Sequence, residues 1–254
     1  MEIKPVEKSA AEKPDWWTIG DSTVQQNGSW GYTIASDKTT DLSKYPELAK
    51  VVNGFHNSGK AGDSHRSYYT SGRLNNVLTG INPGDIVSLS GMGTNDSSST
   101  QEQFKEYDKI YIDAVIDMGG YVILGSYTPT GNYGATKDKV YDADTMTFNG
   151  MRTNPYDRAI RELYEEYKDN PRVLGFMDIG KAADEQMTAD VKAAYNAAIA
   201  SGADETSARA AANAKAEEMM AWWKDYNHYY ISFSNYILPW ITSSVAALAE
   251  NISE

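Results

Sequence analysis

The chain has 254 residues, a formal net charge of −12 at pH 7 and no cysteine. This length suits one large domain with a buried core, and the negative charge argues against nucleic acid and anionic membrane surfaces as partners. The lack of cysteine excludes disulfides, thiolate nucleophiles and cysteine-rich zinc sites together. We therefore expect a globular domain with neither a nucleic-acid nor a membrane partner.

The first 14 residues alternate charged residues with alanine and proline and show no apolar periodicity. They also lack the long apolar core of a signal peptide. We interpret residues 1–14 as a linker. Either a leader that preceded it has been removed, or the linker joined this domain to a longer chain. Residues 15–254 are predicted to form a single domain.

Five short apolar segments, each closed by glycine or polar residues, are predicted to be buried strands. Their apolar character is nearly continuous rather than alternating, which is typical of parallel strands covered on both faces. The segments are Trp16–Ile19, Val51–Phe55, Asp85–Ser90, Tyr121–Ser126 and Arg172–Met177. Because helical patterns alternate with these strands, we predict the α/β class: a three-layer α/β/α arrangement around a mostly parallel, five-stranded sheet.

Five helices are predicted from apolar spacing and from start and stop signals. One spans Phe104 to Met118, and a second begins at Asn154 and Pro155 and ends before residue 171. Residues 184–224 are rich in alanine with an interruption at residues 201–202, which predicts two helices. A further apolar pattern over residues 234–252 predicts a last helix that packs on the sheet.

The sequence TIGDSTV places Ser22 just after the first strand segment, where ligands bind in parallel α/β sheets. Gly-Asp-Ser is also ordinary turn chemistry, in which the polar side chains cap a helix. The next two strand segments are followed by a glycine-rich stretch, NSGKAGDSHRSYYTSGR, and by GTND with Asn95. Together these groups predict a site at neighbouring strand ends, with Ser22 as the candidate nucleophile.

A serine nucleophile needs a base, and the chain has three histidines: His56, His65 and His228. His228 lies three residues after Asp225, a spacing that lets the carboxylate accept the Nδ1 proton within one helical turn and leaves Nε2 facing the serine. A surface Asp-x-x-His pair without a role is the alternative. His56 and His65 rank below His228 as the base, with structural or substrate-contacting roles as their interpretation.

The ordered stretches GDSTV, NSGKAGDSHRSYYTSGR, GTND and DYNH resemble the sequence blocks of the SGNH, or GDSL-type, hydrolases. The second block is most similar to the rhamnogalacturonan acetylesterase branch of the carbohydrate esterases, because it ends in a similar Arg-Ser-Tyr-x3-Gly-Arg pattern. The resemblance runs from about residue 16 to the C-terminus, although residues 184–224 carry no motif. It implies the flavodoxin-like SGNH hydrolase fold.

The resemblance also implies a catalytic triad of Ser22, His228 and Asp225. The oxyanion hole would consist of the backbone N–H groups of Ser22 and Gly62 and the side-chain amide of Asn95. Three converging neutral donors suit the charge that develops on a tetrahedral intermediate. The resemblance implies an acyl-enzyme, hydrolysed by water that His228 activates, with no metal or organic cofactor.

Two departures from the family pattern affect the substrate and leave the triad intact. Thr94 stands where the branch usually has histidine, and the residues after His228, YYISFSN, are bulkier than is usual there. Asp63 and Arg66 flank the oxyanion glycine and are interpreted as a pair that fixes the loop rather than as catalytic residues.

The leading hypothesis is a secreted esterase that removes acetyl groups from a plant cell-wall polysaccharide, either pectin rhamnogalacturonan or xylan. Its partners would be the acetylated polymer or oligosaccharide and other domains of a longer secreted chain. Flat aromatic side chains suit sugar faces. The candidate sugar platforms are Trp30, Tyr68, Trp222 and Trp223, with core packing as the alternative for each. A lipase or thioesterase for other acyl esters, and a non-catalytic carbohydrate-binding domain, remain alternative functions.

Overall fold

The computed structural model describes residues 13–35, 42–90, 92–129, 131, 140–150, 156–225 and 227–252. Its central sheet consists of β1 (Trp16–Ile19), β2 (Phe55–Asn57), β3 (Ile86–Leu89), β4 (Tyr121–Gly125) and β7 (Val173–Met177). All four pairings in the order β2-β1-β3-β4-β7 are parallel. The predicted five-stranded parallel sheet is therefore confirmed. A small antiparallel hairpin of β5 (Tyr141–Asp142) and β6 (Thr147–Phe148) was not predicted from the sequence.

Helices connect the strands. Those in the described residues are α1 (Ser22–Gln25), α2 (Trp30–Ile34), α3 (Pro46–Val51), α4 (His65–Thr70), α5 (Arg73–Gly80), α6 (Gln101–Asp117), α7 (Asp157–Tyr167), α8 (Ile179–Ala200), α9 (Glu205–Met220) and α10 (Ile231–Ala249), with a 3-10 turn at Leu42–Lys44. None of these helices is both long and apolar enough to span a membrane. The predicted linker falls mostly outside the described residues, as do Asn154 and Pro155.

Successive strand residues point into two separate cores, which makes the architecture three-layered. Ile86 and Ile123 belong to a core on one face of the sheet, shared with α2, α3, α8 and α10. Their neighbours Val87 and Val122 belong to a second core with α5, α6 and α7 on the other face. Side chains alternate between the faces of a strand, so a strand buried on both faces must be apolar throughout.

The second strand differs from its prediction. The segment Val51–Phe55 shares only Phe55 with β2, because Pro46 starts α3 and Val51 is its last residue. The remaining residues of β2, His56 and Asn57, are polar and half-buried. A strand at the edge of a sheet is less enclosed than a central strand and need not be apolar throughout. A continuous run of apolar residues is therefore a poor guide to where an edge strand lies.

The alanine-rich segment forms the predicted helix pair, although the first of the two begins at Ile179 rather than at residue 184. The chain reverses at Gly202, whose φ of +93° favours glycine. Ala208, Ala212 and Ala216 on α9 are fully buried. Their spacing of four places them on one face, where small side chains let α8 and α9 pack closely.

Candidate active site

Ser22 is the first residue of α1 and follows the carboxyl end of β1 by three positions. Asp21 caps this helix, since its Oδ1 accepts hydrogen bonds from the Thr23 backbone N–H at 2.8 Å and from the Thr23 hydroxyl at 2.9 Å. A side chain at Gly20 would bring its Cβ within 2.4 Å of Val24 Cγ2, so the turn requires glycine. The tight turn and the cap together fix Ser22 at the strand end.

Asp225 and His228 lie on a loop between α9 and α10 that an antiparallel bridge between Trp223 and Tyr229 closes. Asp225 Oδ1 accepts from the backbone N–H groups of Asn227 and His228, each at 2.9 Å. The prediction that the pair shares one helical turn is therefore wrong. The carboxylate instead organises a tight loop, in which the same three-residue spacing brings it to the imidazole.

The structure brings the three predicted triad residues into one hydrogen-bonded line. His228 Nδ1 lies 2.8 Å from Asp225 Oδ2, and His228 Nε2 lies 2.9 Å from Ser22 Oγ. A carboxylate can only accept, so Nδ1 carries the proton and Nε2 is free to accept from the Ser22 hydroxyl. This tautomer is the one that a serine nucleophile requires.

The ionisation of Asp225 supports this arrangement. Burial alone would raise its pKa, but hydrogen bonds from the backbone and ring of His228 and from the Asn227 backbone hold the pKa below its ordinary range. Asp225 therefore stays a carboxylate at neutral pH and can orient the imidazole.

The glycine-rich stretch after β2 runs beside the Ser22 turn. Backbone hydrogen bonds from Ser58 N to Thr18 O at 2.9 Å and from Lys60 N to Gly20 O at 2.8 Å continue the pairing of β1 with β2 beyond the strands. Gly62 follows two residues later with a φ of +83°, a conformation that glycine adopts readily. The fold thus delivers the predicted oxyanion glycine to the loop next to the serine.

Asn95 connects this loop with the serine turn. Its Nδ2 donates to the carbonyl of Asp63 at 3.0 Å and lies 3.4 Å from Asp21 Oδ2. Asp63 directly follows Gly62, and Asp21 directly precedes Ser22. The Ser22, Gly62 and Asn95 segments are therefore adjacent, as predicted, while their roles as oxyanion donors stay a prediction.

Asp63 has a different partner from the one predicted. Its Oδ2 lies 2.9 Å from Arg73 Nε at the start of α5, whereas Arg66 is exposed on α4. The interpretation of Asp63 and Arg66 as a pair is wrong, because residues 63 and 66 lie on either side of the Ser64 cap that begins α4. The ion pair with Arg73 fixes the same loop.

Three of the four candidate sugar platforms belong to the core. Trp30 is fully buried and stacks on Trp16 with ring centroids 6.0 Å apart. Tyr68 and Trp223 are 1% and 6% exposed. Aromatic rings are the largest side chains available to fill a core, so these predictions are wrong and core packing is correct. Trp222 is half-buried and keeps an accessible surface.

The sequence analysis missed an exposed cation and aromatic pair beside the triad. Tyr230, two residues after His228, is 49% exposed. Lys224 Nζ lies 5.2 Å from the centroid of its ring. The departure YYISFSN was the signal, because it places two tyrosines directly after His228.

The other two histidines have carboxylate partners of their own. His56 Nε2 lies 3.0 Å from Asp15 Oδ2 on the edge of the sheet. His65 is buried between Asp96 and Asp108. The ranking of His228 above them agrees with the geometry, since the hydrogen bond to Ser22 Oγ comes from His228.

No family model and no curated protein matches the sequence. Among solved structures, protein YxiM of Bacillus subtilis matches with a TM-score of 0.63 and 18% identity, over 95% of this chain and 58% of that chain. This chain thus spans less than two thirds of YxiM. Axe2, an acetylxylan esterase from Geobacillus stearothermophilus, matches with a TM-score of 0.51 and 16% identity, over 95% of each chain. These likenesses agree with the three-layer α/β/α fold around a parallel five-stranded sheet.

Proposed function

We propose that this chain is a serine esterase that removes acetyl groups from plant cell-wall polysaccharide, rhamnogalacturonan or xylan, through an acyl-enzyme. The observation that carries the proposal is the hydrogen bond of 2.9 Å between His228 Nε2 and Ser22 Oγ, with Asp225 on the far side of the imidazole. A nucleophile, a base and a group that orients the base are the parts that acyl transfer needs.

Acylation follows from this geometry. Ser22 Oγ attacks the ester carbonyl while His228 Nε2 takes its proton, and Asp225 stabilises the imidazolium that results. His228 then donates the proton to the leaving sugar oxygen, so the carbon–oxygen bond breaks and acetyl-Ser22 remains. In the second half, His228 takes a proton from water, the hydroxide attacks the acetyl carbonyl, and Ser22 recovers its proton as acetic acid leaves and ionises to acetate in the solvent.

The negative oxygen of each tetrahedral intermediate needs donors that are already in place. We assign the Ser22 and Gly62 backbone N–H groups and the Asn95 amide to this role. An amide group has two N–H donors, and one of those on Asn95 is held by Asp63 at 3.0 Å. The other is held loosely, at 3.4 Å from Asp21, and is the donor that we assign to the oxyanion.

The polar surroundings of Ser22 and His228 favour a polar alcohol as the leaving group. The cavity that touches Ser22 and His228 has a volume of about 10 Å³, close to the space of one water molecule. The exposed polar side chains of Gln26, Asn27 and Lys224 also line it. This polar rim suits a hydroxylated polymer.

The polysaccharide assignment draws on the second sequence block and on the fold that this chain shares with Axe2, an acetylxylan esterase. The partly exposed rings of Trp222 and Tyr230 offer apolar surface for sugar rings beside the triad. A polymer of the plant cell wall lies outside the producing cell, so we propose a secreted protein.

The test is acetate release from acetylated xylan and from acetylated rhamnogalacturonan, measured side by side with the Ser22→Ala variant as the blank. Release that depends on Ser22 supports the proposal, and the preferred polymer identifies the substrate. A fluorophosphonate probe that labels Ser22 without release from either polymer would indicate a lipase or thioesterase. An unreactive Ser22 would indicate a non-catalytic carbohydrate-binding domain.

A further inference from the structure

A buried cluster of three ionisable side chains adjoins the loops that carry Gly62 and Asn95. His65 Nδ1 lies 3.1 Å from Asp96 Oδ2, and His65 Nε2 lies 2.7 Å from Asp108 Oδ1. The three side chains are 4%, 1% and 1% exposed, in that order. The cluster is separate from the triad, and nothing in the acyl-transfer steps uses its protons.

The two carboxylates determine the charge of the imidazole. Burial alone lowers the His65 pKa, but the charge and hydrogen bond of Asp108 and those of Asp96 outweigh it and raise the pKa to about 10. Both ring nitrogens therefore carry protons, and His65 is an imidazolium at neutral pH. A cation that bridges two buried carboxylates holds them at a fixed separation, because moving either one would leave a buried charge unpaired.

The cluster joins three separate parts of the chain. His65 is the first residue of α4 and follows Gly62 by three positions, and its backbone N–H also donates to Asp96 Oδ1 at 3.1 Å. Asp96 directly follows Asn95. Asp108 lies on α6, the long helix that packs against the sheet. The imidazolium thus connects the glycine loop, the asparagine loop and a rigid helix.

The surroundings leave the cluster little freedom to rearrange. The Phe104 ring lies 4.2 Å from the His65 ring, centroid to centroid. Tyr111 donates its hydroxyl to the His65 carbonyl, and Tyr156 donates to the Asp96 carbonyl. Close packing of this kind transmits a change in one side chain to its neighbours.

We propose that His65 is a positioning residue, which fixes the Gly62 loop and Asn95 at the spacing that the oxyanion of the acyl-transfer intermediate requires. This role rests on the proposed esterase function. His65 touches neither substrate nor reacting atoms, and it acts through Asn95 and through the backbone of the loop. Its removal should therefore lower kcat and leave substrate binding nearly unchanged.

The experiment compares His65→Gln with the wild type on nitrophenyl acetate, after circular dichroism and thermal unfolding have shown that the variant is folded. Gln keeps hydrogen-bonding atoms but loses the charge. We expect kcat to fall by about 10²-fold, as for loss of one oxyanion donor, with KM changed less than about threefold. Asp108→Asn, which removes one carboxylate at constant size, is the second variant and is expected to act in the same direction.

His56→Gln is the matched control, because His56 also pairs with an aspartate, at 3.0 Å, but lies on the edge strand β2. It should retain the wild-type kcat. A double-mutant cycle then separates positioning from general destabilisation. If His65 acts through Asn95, His65→Gln should cost less than about threefold in an Asn95→Ala background, since residues that act as a unit are not additive.

The measured kcat values decide whether His65 is a positioning residue. A folded His65→Gln or Asp108→Asn variant with kcat within twofold of the wild type overturns the proposal. A full additional loss in both an Asn95→Ala and a Gly62→Ala background also overturns it, because His65 would then act through neither group. Failure of the proposed function has a different signature, since the wild type itself would release no acetate and Ser22 would not react, and the positioning role would be overturned with it.

Discussion

The Nε2 atom of His228 lies 2.9 Å from the Oγ atom of Ser22, although 206 positions of sequence separate the two residues. Ser22 stands at the end of the first strand, while His228 stands on the loop after the last crossover. Residues close to each of them hold the two segments together, because the Tyr229 hydroxyl donates to the Thr23 carbonyl at 2.5 Å and Lys224 Nζ donates to the Asn27 carbonyl at 3.1 Å. A hydrogen bond between such distant residues is the relationship on which the proposed chemistry depends.

Replacement of the triad residues should greatly lower the proposed esterase activity without loss of fold. We expect Ser22→Ala and His228→Ala each to lower the rate on the order of 10⁴- to 10⁶-fold, and the double variant to lower it little further, because triad members act as a unit. Asp225→Ala should cost less. The measurement is kcat/KM on nitrophenyl acetate, and a His228→Ala variant within tenfold of the wild type would contradict the assignment of the base.

Gly62→Ala tests the oxyanion loop. A Cβ at Gly62 meets no atom within 4 Å, so the effect comes only from strain at its φ of +83°. We expect a stability loss of about 1 kcal/mol and a kcat loss of about tenfold or more, as the backbone N–H turns away. Gly202→Ala is the matched control, since Gly202 has a φ of +93° and equally open surroundings but lies at the tip of the α8–α9 hairpin. Equal kcat losses in both variants would contradict the role of Gly62.

Asp21→Asn should change how stability depends on pH. Burial raises the Asp21 pKa to about 6, even though hydrogen bonds from Thr23 and the charges of His65 and His228 lower it. The folded state therefore binds this proton more tightly than the unfolded chain, and stability falls as pH rises from about 4 through 6. At pH 7 the variant should be more stable than the wild type by up to about 3 kcal/mol, a difference that vanishes near pH 4.

Urea unfolding at pH 4 and pH 7 measures this difference. Asp225→Asn serves as a control of opposite sign, because the Asp225 pKa is held below its ordinary range and its carboxylate stabilises the fold at neutral pH. An Asp21→Asn variant that is less stable than the wild type at pH 7 would show that the buried charge is fully compensated.

The raised pKa of His65 predicts that the protein loses stability as the pH rises above 7. Its pKa in the folded state, about 10, lies above the ordinary value of 6.5. A raised histidine pKa contributes stability that is fully present below pH 6.5 and is lost as pH rises to about 10. The free energy of unfolding of the wild type should fall more steeply between pH 7 and 10 than that of His65→Gln. Parallel curves for the wild type and His65→Gln would contradict the charge of the cluster.

Replacement of Trp30 and of Trp222 by alanine should have different effects on stability. Trp30→Ala removes a fully buried ring and should cost about 3 to 5 kcal/mol of stability. Trp222→Ala should cost less, because the ring is only half-buried against Tyr236. If Trp222 contacts sugars, its truncation should raise KM for acetylated polymer and leave nitrophenyl acetate hydrolysis unchanged. An unchanged KM for the polymer would assign Trp222 to packing alone.

The sequence predicted the sheet because buried parallel strands are apolar throughout, a pattern that helices and loops rarely show. It failed at β2, where the strand is short and its residues His56 and Asn57 are polar. It also failed to place Asp225 and His228 on a loop, because a spacing of three suits a helical turn and a tight loop equally. Boundaries and loop geometry depend on contacts with distant segments, which local patterns do not contain.

Aromatic residues and buried charges were the least predictable parts of the site. Nothing in the local sequence distinguishes the buried ring of Trp30 from the accessible ring of Trp222. The cluster of His65, Asp96 and Asp108 joins three segments of the chain, and 43 positions separate His65 from Asp108. Its members look like ordinary polar residues until the fold places them together.

The long antiparallel pair α8 and α9 has a practical consequence for engineering. The 22 residues of α8 extend roughly 33 Å, and the chain then reverses at the exposed Ser201 and Gly202 before α9 returns towards the loop of His228. The turn is exposed and small, the kind of position that accepts inserted sequence. A peptide tag, a fluorophore or a surface tether placed at Gly202 should therefore report on or immobilise the protein and leave the surroundings of Ser22 and His228 open.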